Sequence, residues 1–255
     1  MAGNVITRQD GEVFTVTISN PARKNAATRQ MFIDLGSAFQ AAKSSRLLVL
    51  KGDGENFCTG ADLSDEEGMG GQSPIDFMRT VSEAALQLQA LKIPKLAVVD
   101  GLAVGAGLSL AVGCDLVLAT ERATFSAIFT QRGLSLDLGA SWLLPRRVGM
   151  AKAKELTLLA HLIGAKEALS IGLVNWVVPT EELTGREAQL TSALSSAATL
   201  ALARSNALLD LSPTLSFDEA LEAEAQAQVA SFTSIDTQEA AIAFFQKRKA
   251  HFIGQ

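Results

Sequence analysis

Two glycine-containing segments hold the residues whose types and spacing could carry out chemistry. The first reads Phe-Cys-Thr-Gly-Ala-Asp-Leu at residues 57–63, and the second reads Asp-Gly-Leu-Ala-Val-Gly-Ala-Gly at residues 100–107. Together they can place two backbone N–H groups around one carbonyl oxygen, an arrangement that stabilises negative charge as it collects on that oxygen. The pair of segments therefore predicts chemistry on an acyl thioester.

Each segment is suited to supply one of these donors. Gly105-Ala-Gly107 precedes an apolar stretch, Leu108 to Val112, which predicts that its amides lie at the positive pole of a helix. Small side chains there let a ligand approach the main chain closely. Gly60-Ala-Asp62 offers the second donor from a separate loop. The alternative for either segment alone is that its glycines only make tight turns against a packed helix.

The composition is that of a globular domain with a substantial core. The chain has 255 residues, 48% of them apolar, and a formal net charge of −5 without any basic block. This charge favours neither nucleic acid nor an anionic lipid surface as a partner. Cys58 and Cys114 stand far apart, so no metal site or disulfide is expected. Polar residues at the start and interruptions in the most apolar region predict neither a secretory signal nor a membrane span, and the expected location is cytoplasmic.

Alternating strands and helices must position the two segments. Strands are predicted at residues 12–19, 47–50, 95–99 and 116–119, and helices at residues 28–43 and 74–91. Between them, Asp65 to Ser73 mixes glycines with acidic residues and is predicted to be a mobile loop. This repeated order of strand, glycine-rich turn and helix indicates an α/β fold.

The pattern becomes helical from Ala151 onward. Helices are predicted at residues 152–162, 165–171 and 186–211, with a strand-like stretch at 174–178. Another helix begins near Ser216, and Asp236-Thr-Gln-Glu239 is predicted to be a capping box for the last one. The predicted division is an α/β core at residues 1–190 and a helical region at residues 191–255.

At these residues the chain resembles the enoyl-CoA hydratase/isomerase family, the crotonase superfamily, over nearly its whole length. No single matching piece is specific for the family, but the order and separation of all the pieces are. Besides the two segments above, the matching pieces are residues 20–26 (Asn-Pro-Ala-Arg-Lys-Asn-Ala), 114–115, 123–125, 133–134, 144–149, 165–168, 172–174 and 244–252.

The resemblance implies an α/β fold with a crotonase-like ββα spiral core that binds acyl-CoA. It also implies a C-terminal helical region that trimerises, so that the protein is a homotrimer or a dimer of trimers. The implied substrate is a coenzyme A thioester of fatty-acid metabolism, with no separately bound cofactor and no metal. Its carbonyl oxygen would sit between the amides of Ala61 and Ala106.

Further binding residues follow from the same resemblance. Arg23, Lys24 and Ala26 would line the nucleotide end of CoA, whereas Ala61, Asp62 and Leu63 would lie along its adenine and pantetheine. Phe244 and Lys247 would reach the CoA of a neighbouring subunit. For Lys247, an alternative is that its charge only compensates the C-terminal pole of the last helix.

The chain departs from the family at the two acid–base positions. Hydratases of the family carry two glutamates that hold and activate water, and the corresponding positions here hold Ser109 and Phe129. A serine hydroxyl has no useful basicity near neutral pH and a phenyl ring has none, so two-carboxylate hydration is disfavoured. Ser109 is expected to hold a water molecule or to bond the helix carbonyl four residues before it.

One carboxylate, that of Asp137, remains as a candidate base. By the same resemblance, isomerases of the family that act on ring-derived acyl-CoA carry an aspartate at this position. Aromatic acyl-CoA dehalogenases carry a nucleophilic aspartate there. Between Leu136 and Leu138 the charge of Asp137 would be poorly solvated, which should raise its pKa towards that of a general base. The sequence therefore favours double-bond isomerisation with Asp137 as the single base. Alternatively, Asp137 only caps the helix that follows it.

Several alternatives stay open at this point. Hydration, a dehalogenase-like reaction and non-catalytic acyl-CoA binding are each compatible with the thioester pocket. Phe125, Phe129 and Trp142 could line an apolar acyl pocket or belong to the core. A dinucleotide loop is disfavoured because Leu110 replaces the third glycine, and a serine hydrolase is disfavoured because His161 and His251 are the only histidines available as its base.

Overall fold

The computed structural model describes residues 3–65 and 73–255, so most of the loop predicted at Asp65 to Ser73 lies outside the described residues. The strands are β1 (Asn4–Asp10), β2 (Val13–Ser19), β3 (Leu47–Gly52), β4 (Lys95–Val99), β5 (Leu102–Val104), β6 (Leu116–Thr120), β7 (Thr124–Ser126), β8 (Ile163–Gly164) and β9 (Trp176–Val178). The α-helices are α1 (Arg29–Ala41), α2 (Pro74–Ala90), α3 (Ala106–Val112), α4 (Ala140–Val148), α5 (Met150–Leu159), α6 (Ala165–Ser170), α7 (Leu183–Ser195), α8 (Thr199–Leu211), α9 (Phe217–Phe232) and α10 (Ile235–Phe245).

Six strands form the main sheet in the order β1-β2-β3-β4-β6-β9. β1 and β2 are an antiparallel hairpin, and every later pairing in this sheet is parallel. The α/β class and the four predicted strands are confirmed. The sequence prediction omitted β1, because its polar residues leave no apolar alternation and almost all of its side chains are exposed.

The central strands are apolar throughout because both faces of the sheet are covered. Leu48 and Leu50 belong to the large core beneath α1 and α2, whereas Leu47 and Val49 face a smaller cluster on the other side. Leu190 and Leu194 of α7 pack against that smaller cluster. Residue 190, the predicted end of the core, therefore lies inside a helix that covers the sheet.

The C-terminal part is helical as predicted, but the single helix predicted at residues 186–211 is wrong. Two helices, α7 and α8, occupy this range, with a break at residues 196–198. Arg46 holds the break in place, because its guanidinium donates hydrogen bonds to the Ala197 carbonyl and, at 2.8 Å, to the Thr199 hydroxyl. No described helix has the length and apolar character that crossing a membrane requires.

The predicted capping box at Asp236 to Glu239 is also wrong. Ser234 caps α10, and its hydroxyl accepts the Thr237 amide at 3.1 Å. The buried Asp236 carboxylate instead accepts the backbone amides of Ile253 and Gly254, at 2.7 and 2.9 Å. These bonds tie the C-terminus of the chain to α10. A complete capping box is present at the start of α9, where Ser216 and Glu219 bond reciprocally.

Candidate active site

An apolar cavity of about 700 Å³ opens beside the start of α3. Both glycine-containing segments line it, at Gly60 and Ala61 and at Gly105 and Ala106. α2 contributes another part of the lining, and a continuous stretch at residues 128–137 contributes a third. That stretch begins with a turn of 3₁₀-helix at Ile128–Arg132.

The two glycine-containing segments run side by side at the base of the cavity. Cys58 and Ala103 form a parallel bridge, and the Val104 amide donates to the Cys58 carbonyl at 2.9 Å. Gly60 and Gly105 have φ values of +100° and +58°, which side chains rarely permit. The sequence prediction that separate segments would place their amides at one site is therefore consistent with their observed packing.

The amides of Ala61 and Ala106 are available to a ligand. Ala61 forms a parallel bridge with Ala27. In this bridge the Ala27 amide donates to the Gly60 carbonyl and the Asp62 amide donates to the Ala27 carbonyl, both at 2.8 Å, so the Ala61 amide takes no part. Ala106 is the first residue of α3, where an N–H has no partner within the helix. Within residues 3–65 and 73–255, neither amide donates a backbone hydrogen bond.

Close packing between the segments makes Gly107 difficult to replace. A β-carbon on Gly107 would lie 2.0 Å from the Cys58 carbonyl oxygen, so backbone atoms would have to move. We expect Gly107→Ala to lower the free energy of unfolding by about 1–3 kcal/mol or more. Gly185→Ala is the control, because this site in α7 has nothing within 4 Å and alanine favours helix. Thermal denaturation of both variants measures the difference, and equal midpoints would contradict this packing.

Asp137 faces the cavity from the stretch at residues 128–137, just before α4. Its Oδ1 atom is buried without a hydrogen-bond partner, and burial raises the pKa of the carboxyl to about 6. The alternative that this side chain caps α4 is not observed, because Gly139 occupies the N-cap and no side chain bonds there. Leu138, at φ +49°, turns the chain sharply between Asp137 and the helix. A partly buried carboxylate with one unpartnered oxygen and a raised pKa is suited to accept a proton.

Cys58 lies beneath the first segment and is not a nucleophile at neutral pH. Burial raises the pKa of its thiol to about 12, outweighing a hydrogen bond from the Gly60 amide, and the nearby charge of Asp137 raises it further. The thiol therefore stays protonated. Asp137 is the only carboxylate among the described residues that line the cavity.

Seven of the predicted site residues line this one cavity: Lys24, Ala61, Leu63, Gly105, Ala106, Phe129 and Asp137. Lys24 adopts φ +52° in a turn that Asn25 stabilises by donating to the carbonyls of Asp53 and Asn56. The Thr59 hydroxyl donates to the Lys24 carbonyl at 3.1 Å and thereby joins this turn to the first glycine-containing segment.

The other predicted site residues lie outside the cavity lining. Next to it, Arg23 is exposed, Ala26 is buried, and the Asp62 carboxylate accepts the Ser64 amide at 2.9 Å. Ser109 is buried in α3, and its hydroxyl donates to the Gly105 carbonyl at 3.3 Å. This is the predicted bond to the carbonyl four residues before Ser109.

Trp142, Phe244 and Lys247 are further away on the chain surface. Trp142 is exposed on α4, where the Arg146 guanidinium stacks on its ring at 3.7 Å. Phe244 on α10 is 78% exposed, and Lys247 follows that helix in a left-handed conformation. Phe125, which was considered for the acyl pocket, belongs to the core.

Much of the apolar lining and one cation were not identified from the sequence. The missed residues include Phe77 and Met78 of α2, Ile128, Arg132, Leu134 and Leu162. The two α2 residues fit the apolar helical spacing, but that spacing does not distinguish cavity from core. Arg132 could have been noticed as a cation between the predicted site positions Phe129 and Asp137.

Comparison with known proteins agrees with this geometry. The profile of the enoyl-CoA hydratase/isomerase family matches residues 8–255. A probable enoyl-CoA hydratase of Rhodobacter capsulatus is 37% identical over 248 residues, which cover 94% of each chain. The 1,2-epoxyphenylacetyl-CoA isomerase of Escherichia coli is 31% identical over 258 residues, which cover 98% of each chain.

Solved structures extend the agreement to the fold. The crystal structure of an enoyl-CoA hydratase from Polaromonas superimposes with a TM-score of 0.91 at 28% identity, covering 98% of this chain and all of that one. The predicted crotonase-like fold is thereby confirmed. This chain belongs to the enoyl-CoA hydratase/isomerase family of the crotonase superfamily, and it is an enzyme of hydratase or isomerase type that acts on coenzyme A thioesters.

Proposed function

We propose that the protein is an enoyl-CoA isomerase that moves a carbon–carbon double bond by transferring one proton. The observation that supports this best is the unpartnered, buried carboxylate oxygen of Asp137 in the same cavity as the available amides of Ala61 and Ala106. A double-bond shift needs one base and one site for negative charge. The cavity offers both.

In the proposed mechanism, the thioester carbonyl oxygen of a 3-enoyl-CoA accepts hydrogen bonds from the Ala61 and Ala106 amides. The Asp137 carboxylate removes a proton from C2, the electrons move onto the carbonyl oxygen, and a dienolate forms. Asp137, now neutral, returns the proton at C4, and the double bond lies between C2 and C3. While Asp137 is neutral, the negative charge lies on the thioester oxygen, where the two amides stabilise it.

Hydration is less well supported by the residues at the two family acid–base positions. Ser109 donates its hydroxyl proton to the Gly105 carbonyl and is buried, and Phe129 presents a ring to the cavity. Neither group can activate water as a base. Asp137 alone would have to both remove a proton from water and supply one to carbon.

We further propose that CoA leaves the cavity past Lys24 and Leu63, with Arg23, Ala26 and Asp62 near its nucleotide end. Lys24 lines the cavity on the side of the first glycine-containing segment, where a phosphate could pair with its ammonium group. In a homotrimer or dimer of trimers, Phe244 and Lys247 would contact the CoA of a neighbouring subunit. The exposure of Phe244 is compatible with this role.

Ring-derived acyl-CoA thioesters are a second candidate substrate class. They are favoured by the 31% identical relative named 1,2-epoxyphenylacetyl-CoA isomerase and by the apolar lining at Ile128, Phe129 and Leu136. Incubating the protein with 2-enoyl, 3-enoyl and aromatic acyl-CoA thioesters, and following ultraviolet absorbance and mass, shows which class of thioester is converted. A changed absorbance at constant mass supports isomerisation, whereas a gain of one water contradicts it.

The raised pKa of Asp137 sets the expected dependence of activity on pH. The carboxylate is the active form, and burial raises the pKa to about 6, so kcat/KM should increase tenfold per pH unit below 6 and reach a plateau above about 7. Initial rates with 3-enoyl-CoA between pH 4.5 and 8.5 measure this profile. A plateau that extends down to pH 5 would contradict a base with this pKa.

A further inference from the structure

Two cations line the cavity, Lys24 and Arg132, against the single carboxylate of Asp137 among its described lining residues. Lys24 was predicted from the sequence and is accounted for by the CoA proposal. Arg132 is not. In the described part of the chain, its guanidinium makes neither a hydrogen bond nor an ion pair with another residue. A guanidinium offers five N–H donors, so an unpaired one in a ligand cavity is available for an anionic group of the ligand.

The backbone that carries Arg132 is held in place. It ends the 3₁₀-helix at Ile128–Arg132, where the Thr130 hydroxyl donates to the Thr157 carbonyl at 2.8 Å. The Gln131 side-chain amide donates to the Ala160 carbonyl at 3.0 Å. Both bonds join the 3₁₀-helix to the C-terminal end of α5. The guanidinium is therefore mounted on a fixed segment rather than on a free loop.

Arg132 lines the cavity from the stretch of chain that the proposed mechanism places beside the acyl group. It belongs to the same stretch as Asp137, whose carboxylate must face C2 and C4 of the substrate. Lys24 lies in a turn that a hydrogen bond joins to Thr59 of the first glycine-containing segment, where CoA is proposed to leave. The two cations thus line the cavity from different segments of the chain, and we assign one to a phosphate and the other to a group carried by the acyl chain.

We propose that Arg132 binds a second carboxylate at the far end of the acyl group, so that the preferred substrates are CoA monothioesters of unsaturated dicarboxylic acids. This inference rests on the proposed function for the direction of the substrate in the cavity. A guanidinium and a carboxylate form paired, charge-assisted hydrogen bonds. Arg132 is exposed, as are Leu134 and Leu162 in the same lining, so this contact would form at the open side of the cavity. We expect this contact to favour the dicarboxylic thioester by about 3- to 10-fold in affinity, because an exposed ion pair contributes less than a buried one.

Binding of unreactive saturated thioesters tests the inference without requiring turnover. The dissociation constants of adipoyl-CoA, hexanoyl-CoA and free CoA are measured by calorimetry, together with the corresponding eight- and ten-carbon pairs. The wild-type protein should bind one or more of the dicarboxylic thioesters about 3- to 10-fold more tightly than the monocarboxylic partner. Arg132→Met should remove this preference and leave hexanoyl-CoA and free CoA within about twofold. Arg8→Met is the control, because Arg8 is 75% exposed on β1, far along the chain from the cavity stretch.

Two results would overturn the inference. One is equal affinity of the wild-type protein for both members of every pair. The other is an equal loss of affinity for free CoA and all thioesters in Arg132→Met, which would place Arg132 at a CoA phosphate. Turnover of 3-hexenedioyl-CoA and 3-hexenoyl-CoA separates this inference from the proposed function. Absence of isomerisation with both substrates refutes the function, and a retained preference in binding still supports the role of Arg132.

Discussion

Asp137→Asn should lower kcat for double-bond isomerisation by about 10³- to 10⁴-fold while leaving the affinity for CoA thioesters within about threefold. Asparagine has nearly the same shape as aspartate but cannot accept the C2 proton. The thioester would still contact the Ala61 and Ala106 amides, so its binding should persist. Initial rates with 3-enoyl-CoA and calorimetric binding of a saturated acyl-CoA measure the two quantities.

Asp218→Asn is the matched control for this variant. Asp218 is exposed in the first turn of α9, and we expect its replacement to leave kcat unchanged. A non-catalytic acyl-CoA binder would show no turnover in the wild-type protein, so that the substitution would remove nothing. Full activity in Asp137→Asn would contradict the assignment of this residue as the base.

The same substitution should stabilise the protein at alkaline pH. Burial raises the pKa of Asp137 from 3.8 to about 6, so folding disfavours the charged form, and the cost is complete above pH 6 and absent below pH 4. Asparagine avoids that cost, which we expect to add about 1–3 kcal/mol to the free energy of unfolding at pH 8. Denaturation at pH 8 and pH 4 measures the gain, which should vanish at the lower pH. An equal effect at both pH values would contradict this electrostatic cause.

Ala106→Pro should lower kcat by about 10²- to 10³-fold, because it deletes one of the two N–H donors proposed for the thioester oxygen. Ala106 is the first residue of α3, the helical position where proline is best tolerated. Its amide donates no backbone hydrogen bond within the described ranges, and Gly105 before it lies outside the α region that a following proline disfavours. The variant should therefore fold, and circular dichroism checks that it does.

Ala106→Gly is the control, because it removes the side chain and keeps the N–H. We expect its kcat to stay within about fivefold of the wild-type value. Affinity for free CoA, which has no acyl carbonyl, should be unchanged in both variants. Equal rates for Ala106→Pro and Ala106→Gly would show that this amide does not stabilise charge in the reaction.

Much of the fold could be predicted because apolar periodicity reports burial directly. Lys95–Val99 matched its predicted bounds, since a short apolar run between turns is typical of a strand covered on both faces. The break between α7 and α8 could not be predicted, because residues 196–198 contain neither glycine nor proline. The break instead depends on Arg46, a contact between residues far apart in sequence.

The candidate site was predictable where backbone geometry decides it. Gly60 and Gly105 indicated close approach of two main-chain segments, and both have positive φ values. The position of Trp142 was not predictable, because helical spacing alone does not say which face of α4 meets the cavity. Arg132 was missed for a related reason: a cation in a short 3₁₀-helix has the same sequence pattern whether it faces solvent or a ligand.

A crystal structure with a saturated acyl-CoA bound tests the central claim most directly. The thioester carbonyl oxygen should lie about 2.7–3.1 Å from both the Ala61 and Ala106 amide nitrogens, with a carboxylate oxygen of Asp137 facing C2. A carbonyl oxygen that contacts neither amide, or an acyl chain that leaves Asp137 on the far side of CoA, would contradict the proposed active site.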